Sequence, residues 1–112
     1  MINELTLVGR LAKDPELKAT TDGIFFCHIT LAVNRSFKNQ SGNYDTDFIT
    51  CTFWKRNAEN IVSFCKKGSL VGVQGRVQTR TYDKQDGTKA YVVEVVGESI
   101  TFLSKPKEEV KV

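Results

Sequence analysis

Phe48-Ile49-Thr50-Cys51-Thr52-Phe53-Trp54 alternates as the side chains of a β-strand do. Ile49, Cys51 and Phe53 point one way and suit a core. Phe48, Thr50, Thr52 and Trp54 point the other way, so two large rings flank two small hydroxyls where a solvated strand would carry Lys, Glu, Thr or Ser. Patterning admits two readings: a strand buried on both faces, or an exposed platform on which a flat ligand lies between the rings. Lys55 and Arg56 follow at once. Rings beside cations hold unpaired bases and their phosphates, which favours the platform.

Working outward, residues 4–12 alternate loosely and predict a first strand, with Gly9 marking a bulge or a close backbone approach. Lys13-Asp14-Pro15-Glu16 ends it, and Thr20-Thr21-Asp22-Gly23 predicts a turn. A second strand is expected at 24–34, with Phe25, Cys27, Ile29, Leu31 and Val33 inward and His28 and Thr30 outward. Residues 35–47 read as a polar hairpin loop in which Phe37, between Arg35 and Lys38, is out of place. An exposed ring there costs about a kcal/mol or more unless it packs or binds something.

Beyond the central strand, Ala58, Ile61, Val62 and Cys65 recur at helical spacing and predict a helix over 57–67, with Asn57 as N-cap and Gly68 as stop. From Ser69 to Tyr82 the chain alternates again, with Val71, Val73 and Val77 opposed to Gln74, Arg76, Gln78, Arg80 and Tyr82. Asp83-Lys84-Gln85-Asp86-Gly87 turns a long hairpin whose return strand is 89–96, and a short strand, 99–103, follows. The expectation is an all-β chain with one helix: a five-stranded Greek-key barrel, the helix between its third and fourth strands and a long hairpin joining the fourth and fifth. That order is the OB-fold.

The totals set limits. At 112 residues there is room for one domain, expected at 1–104, with a charged, disordered tail at 105–112. A net charge of +3 permits an anionic partner without requiring one. Cys27, Cys51 and Cys65 are odd in number, lack a CxxC pair, and read as reduced core thiols of a cytoplasmic protein. No signal-peptide pattern or membrane-length apolar run is seen, and no cofactor or metal site is expected. Asp45 and Asp47 lack further ligands, and no GxxxxGK[ST], HExxH or GxSxG is present, so an enzyme is not expected.

Five segments in order then carry a resemblance: LTLVGRLAKDPE (5–16), ITLAVNRSFK (29–38), TDFITCTFW (46–54), KKGSLVGVQGRVQTRTYDKQDG (66–87) and YVVEVVGESITFL (91–103). The chain resembles the bacterial and phage single-stranded DNA-binding proteins over essentially residues 1–104. The resemblance implies an OB barrel, a homotetramer, and a sequence-independent coat for single-stranded DNA in replication, recombination and repair. It places the four aromatic positions of the DNA path on Phe37, Phe48, Trp54 and Tyr82, the rings already out of place on patterning. Arg10, Arg35, Lys38, Lys55, Arg56, Arg76, Arg80 and Lys84 are the cations expected along the phosphates. Well-known members carry tryptophan at several of the four positions, whereas this chain has it only at 54, so its smaller rings are expected to stack less. Members that recruit replication and repair proteins end in an acidic tip. Residues 105–112 hold three lysines against two glutamates, so recruitment through them is not expected.

Overall fold

The computed structural model describes residues 1–104; the expected tail at 105–112 lies outside the described residues. The elements are β1 (Leu5–Leu11), β2 (Lys18–Ala19), β3 (Phe25–Lys38), β4 (Tyr44–Trp54), α1 (Lys55–Phe64), β5 (Leu70–Asp83) and β6 (Lys89–Ser104). Strands pair in the order β1-β5-β6-β4-β3-β2, and β1 also pairs with β3 through Arg10–Ala32 and Leu11–Leu31. That last pairing closes the five long strands into a barrel, with the short β2 appended to β3. β4 and β6 run parallel, joined at Cys51–Val95 and Thr52–Val96; the other pairs are antiparallel. With one helix between its third and fourth long strands, this is the OB-fold.

The inward residues of each strand fill the barrel: Cys27, Ile29 and Leu31 from β3, Cys51 and Phe53 from β4, Val71 and Val73 from β5, and Val95 from β6. α1 packs against β3 and β4 and buries Ala58 and Ile61. Close approaches replace side chains at three glycines, Gly9, Gly75 and Gly97. A Cβ on Gly9 would stand 2.6 Å from the Ala32 carbonyl oxygen where β1 meets β3, and one on Gly97 would strike the Phe53 ring. Among the described residues no helix is long and apolar enough to cross a membrane.

Several boundaries differ from expectation. The polar segment 35–47 is mostly strand: β3 runs on to Lys38 and β4 begins at Tyr44, leaving a turn at 39–43. Polar cross-strand bonds carry this arm where apolar alternation does not. Thr46 Oγ1 donates to Asn34 Oδ1 at 2.7 Å, and Asn39 Oδ1 accepts from the backbone N–H groups of Ser41 and Asn43. The helix begins two residues early, because Lys55, at φ 58°, turns the chain straight from strand into helix. Asn57 therefore does not cap; its Nδ2 donates to the Glu98 carbonyl at 3.2 Å. The helix ends at Phe64, and Gly68, at φ 93°, belongs to the following turn, where its N–H donates to the Leu11 carbonyl. The two last strands are one strand, β6, with register shifts that leave Glu98 and Leu103 unmatched. Phe25 is 42% exposed although its parity is inward, since the start of β3 overruns the core.

Candidate nucleic-acid interface

The outer face of β4 is neither uniformly buried nor uniformly open. Phe48 and Trp54 are exposed at 67% and 41%, whereas Thr52 between them is 5% exposed. Register explains the difference. Thr52 lies opposite His28 on β3 and Val96 on β6, and Val96 lies opposite Arg76 on β5. His28, Thr52, Val96 and Arg76 thus form one row across four adjacent strands, and the His28 Nδ1 and Thr52 Oγ1 atoms share a hydrogen bond of 2.9 Å. The row floors a concave groove of about 360 Å³. Trp54 and Phe26 border it on one side, and Gln78, Arg80 and Glu94 on the other.

Trp54 is the one ring of the four that lies in this groove. Phe48 lines a second concavity, together with Arg10 and Asn34. Phe48 is opposite Ala32, which is opposite Arg10, so a second row crosses β4, β3 and β1. Six residues of strand, roughly 20 Å, separate Phe48 from Trp54 on one face. Phe37 and Tyr82 stand on the two hairpin arms, 63% and 51% exposed. Phe37 falls within the register shift between Asn34 and Lys38, and Tyr82 follows Arg80 on the outer face of β5. The four rings are therefore spread over the barrel and its arms rather than gathered in one pocket.

The cations differ in their availability. Arg35 is tied to Asp47 by two hydrogen bonds of 3.1 and 3.0 Å and lies 3.7 Å from Asp45. The hydrogen bond from Arg35, and then its charge, holds the Asp47 carboxyl below the usual range. Arg76 and Arg80 form looser pairs, with Glu98 at 3.7 Å and Glu94 at 3.5 Å. Arg10 donates to the Gly68 carbonyl at 2.9 Å and makes no ion pair among the described residues. Lys38 lies over the Tyr44 ring at 5.9 Å. Lys38, Lys55, Arg56 and Lys84 make no ion pair among the described residues.

Phe26, His28 and Glu94 belong to the groove and were not singled out from the sequence. Phe26 and His28 share the outward parity of β3, which is the signal that points to them. Glu94 shares an outward parity with Val92 and Val96, but its neighbours in the groove are set by the pairing of β5 with β6. Burial pushes the Cys27 and Cys51 thiols up to about 11, so neither is a ready nucleophile. Among the described residues no group of three or more His, Cys, Asp or Glu side chains is placed to hold a metal ion.

Residues 2–103 match the model of the single-strand binding protein family. Single-stranded DNA-binding protein B of Bacillus subtilis is 51% identical over 110 residues, covering 97% of each chain. Single-stranded DNA-binding protein A of the same species is 55% identical over 107 residues, 96% of this chain and 62% of that protein. A single-stranded DNA-binding protein of Bacillus cereus is 53% identical over 103 residues, 92% of this chain and 61% of its own length. The chain therefore spans about three-fifths of the length of the latter two relatives and nearly all of the first. It belongs to the single-strand binding protein family.

Proposed function

We propose that this chain binds single-stranded DNA without strict sequence dependence and coats it during replication, recombination and repair. The observation that carries the proposal is the outer face of β4, where exposed rings at Phe48 and Trp54 each border a concavity that also holds arginine. Stacking on rings tolerates every base, and cations beside the rings track the backbone. The names of the relatives, each a single-stranded DNA-binding protein, support the same partner. Phe37, Phe48, Trp54 and Tyr82 take bases; Arg10, Lys38, Lys55, Arg56, Arg80 and Lys84 follow phosphates. Arg35 acts chiefly within its arm, since its guanidinium already meets Asp45 and Asp47.

No catalysis is assigned to the chain. It acts in the cytoplasm as a homotetramer, because one small barrel holds only a short stretch of strand and wrapping needs several symmetric copies. Sedimentation at micromolar concentration should give four chains, and a monomer would discard the wrapping mode. The deciding experiment for binding is a titration of Trp54 fluorescence with poly-dT and with poly-U at two salt concentrations. Strong quenching by poly-dT, weaker at high salt, is expected. Equal or tighter binding of poly-U would make the partner RNA.

A further inference from the structure

His28 lines two concavities. On one side is the groove of Trp54; on the other is a smaller hollow of about 210 Å³, lined by Lys13, Asp14 and Glu16 from the β1–β2 connection and by Lys18 of β2. That volume is below the usual range of small-molecule pockets and suits a group the size of a phosphate. The hydrogen bond of 2.9 Å between His28 Nδ1 and Thr52 Oγ1 holds the ring between the two spaces. Nε2 is left without a hydrogen-bond partner among the described residues.

The two rims of the groove differ in charge. On the β5–β6 side Arg80 is paired with Glu94 at 3.5 Å and Arg76 with Glu98 at 3.7 Å. On the β2–β3 side Lys13 and Lys18 make no ion pair among the described residues. Register places Lys18 opposite Phe26, and Phe26 opposite Trp54, so lysine, backing ring and indole form one row across β2, β3 and β4. His28 stands in the next row of the same face, roughly 7 Å along the strand. Burial, then the charge of Lys18, with Arg80 and Lys13 adding, disfavours a proton on its imidazole, and Glu94 opposes them. Asp14 and Glu16 are not among the charges acting on the ring. Asp14 Oδ1 instead accepts the backbone N–H of Lys67 at 2.7 Å.

A phosphate in the hollow reverses that balance. Its negative charge offsets the lysines and gives Nε2 an acceptor, so the imidazolium gains a charge-assisted hydrogen bond. Thr52 Oγ1 accepts from Nδ1–H in that state, since a hydroxyl oxygen serves either role. We propose that His28, Lys13 and Lys18 form a phosphate subsite for a strand stacked on Trp54, and that His28 takes up a proton as the phosphate enters. The inference rests on the single-stranded DNA reading above and extends it to a flank of the barrel where the sequence gave no expectation of contact. By linkage, a strand whose binding takes up a proton is held more tightly as pH falls through the histidine range.

The test measures the equilibrium affinity of the whole chain for oligo-dT at about pH 7.5 and about pH 5.5, at one ionic strength, beside His28→Gln and Lys18→Met. Thymine does not titrate in that window. Affinity of the unaltered chain should rise about tenfold on acidification, the effect of one hydrogen bond to a charged group, and that of His28→Gln by roughly twofold or less. Acid weakens the fold and hence binding, so unfolding does not imitate a gain. Lys18→Met should lower the slope of log K against log salt by roughly 0.7. His28 is the only histidine, so its Hε1 resonance gives a separate readout: the titration midpoint should move up when oligo-dT saturates the chain. An equal acid gain in His28→Gln, an unmoved or falling midpoint, or an unchanged salt slope in Lys18→Met would each overturn the proposal. A midpoint raised by inorganic phosphate but not by oligo-dT would make the hollow a site for free anions and overturn it as well. Failure of the unaltered chain to bind oligo-dT at either pH would instead remove the single-stranded DNA reading on which it rests.

Discussion

The ring of Phe26 lies against that of Trp54, centroids 5.1 Å apart and planes 35° from parallel, because the two residues are direct partners across β3 and β4. Phe26 in turn meets His28 edge-on at 5.4 Å. One side of the indole is thus occupied within the protein. The other side is left for a base in the binding mode proposed above.

The first prediction follows from that support. Trp54→Ala should weaken oligo-dT binding by about 1–3 kcal/mol, the range for one base–ring contact. Phe26→Leu leaves the indole in place but frees it to turn, and should cost about 0.5–1.5 kcal/mol, the worth of an aromatic pair beyond its area. Both are read by fluorescence anisotropy of labelled oligo-dT. Full affinity in Phe26→Leu would show that Trp54 needs no such backing.

Salt separates rings from cations. Neither Trp54→Ala nor Phe48→Ala should alter the slope of log K against log salt, since no counterion is released by stacking. Arg80→Ala should lower that slope by roughly 0.7, the value for one phosphate contact on a single strand. Parallel plots for Arg80→Ala and the unaltered chain would show that Arg80 serves only Glu94.

Gly97 is a packing requirement. A Cβ there would strike the Phe53 ring, the largest fully buried side chain of the core. Gly97→Ala should destabilise the fold by about 1–3 kcal/mol, as overpacking does. Urea unfolding measures it. Combining Gly97→Ala with Phe53→Leu should cost less than the sum of the two single changes, because the smaller side chain makes room.

His28 gives stability a pH dependence. Burial first, then Lys18, with Arg80 and Lys13 adding, holds its imidazole below the ordinary 6.5, and Glu94 opposes them. The unfolded chain therefore takes up the proton more readily than the folded one. Stability should rise with pH through the window below 6.5 and be lost as pH falls through it. Thermal melts of the unaltered chain and His28→Gln across that window check this: the difference between their midpoints should shrink or reverse on acidification. A constant difference would mean that His28 titrates alike in both states.

Alternation along 48–54, 69–82 and 89–96 fixed most of the strands and the inward set, because a period of two is written in each strand without reference to any other. The same parity separated Phe48 and Trp54 from the core, and composition alone showed Phe37 to be out of place. Which rings share a cavity was beyond that signal. Trp54 and Phe48 occupy one strand face, yet curvature of the closed barrel assigns them to different concavities. The polar arm at 35–47 escaped detection since its strands are joined by Asn, Thr and Arg–Asp bonds rather than by an apolar face. Glu94, Arg76 and His28 lie far apart in the chain and become neighbours only through the β3–β4–β6–β5 register. One sequence position states what a side chain is; the pairing of strands decides which others it faces, and the chemistry of the groove belongs to that second choice.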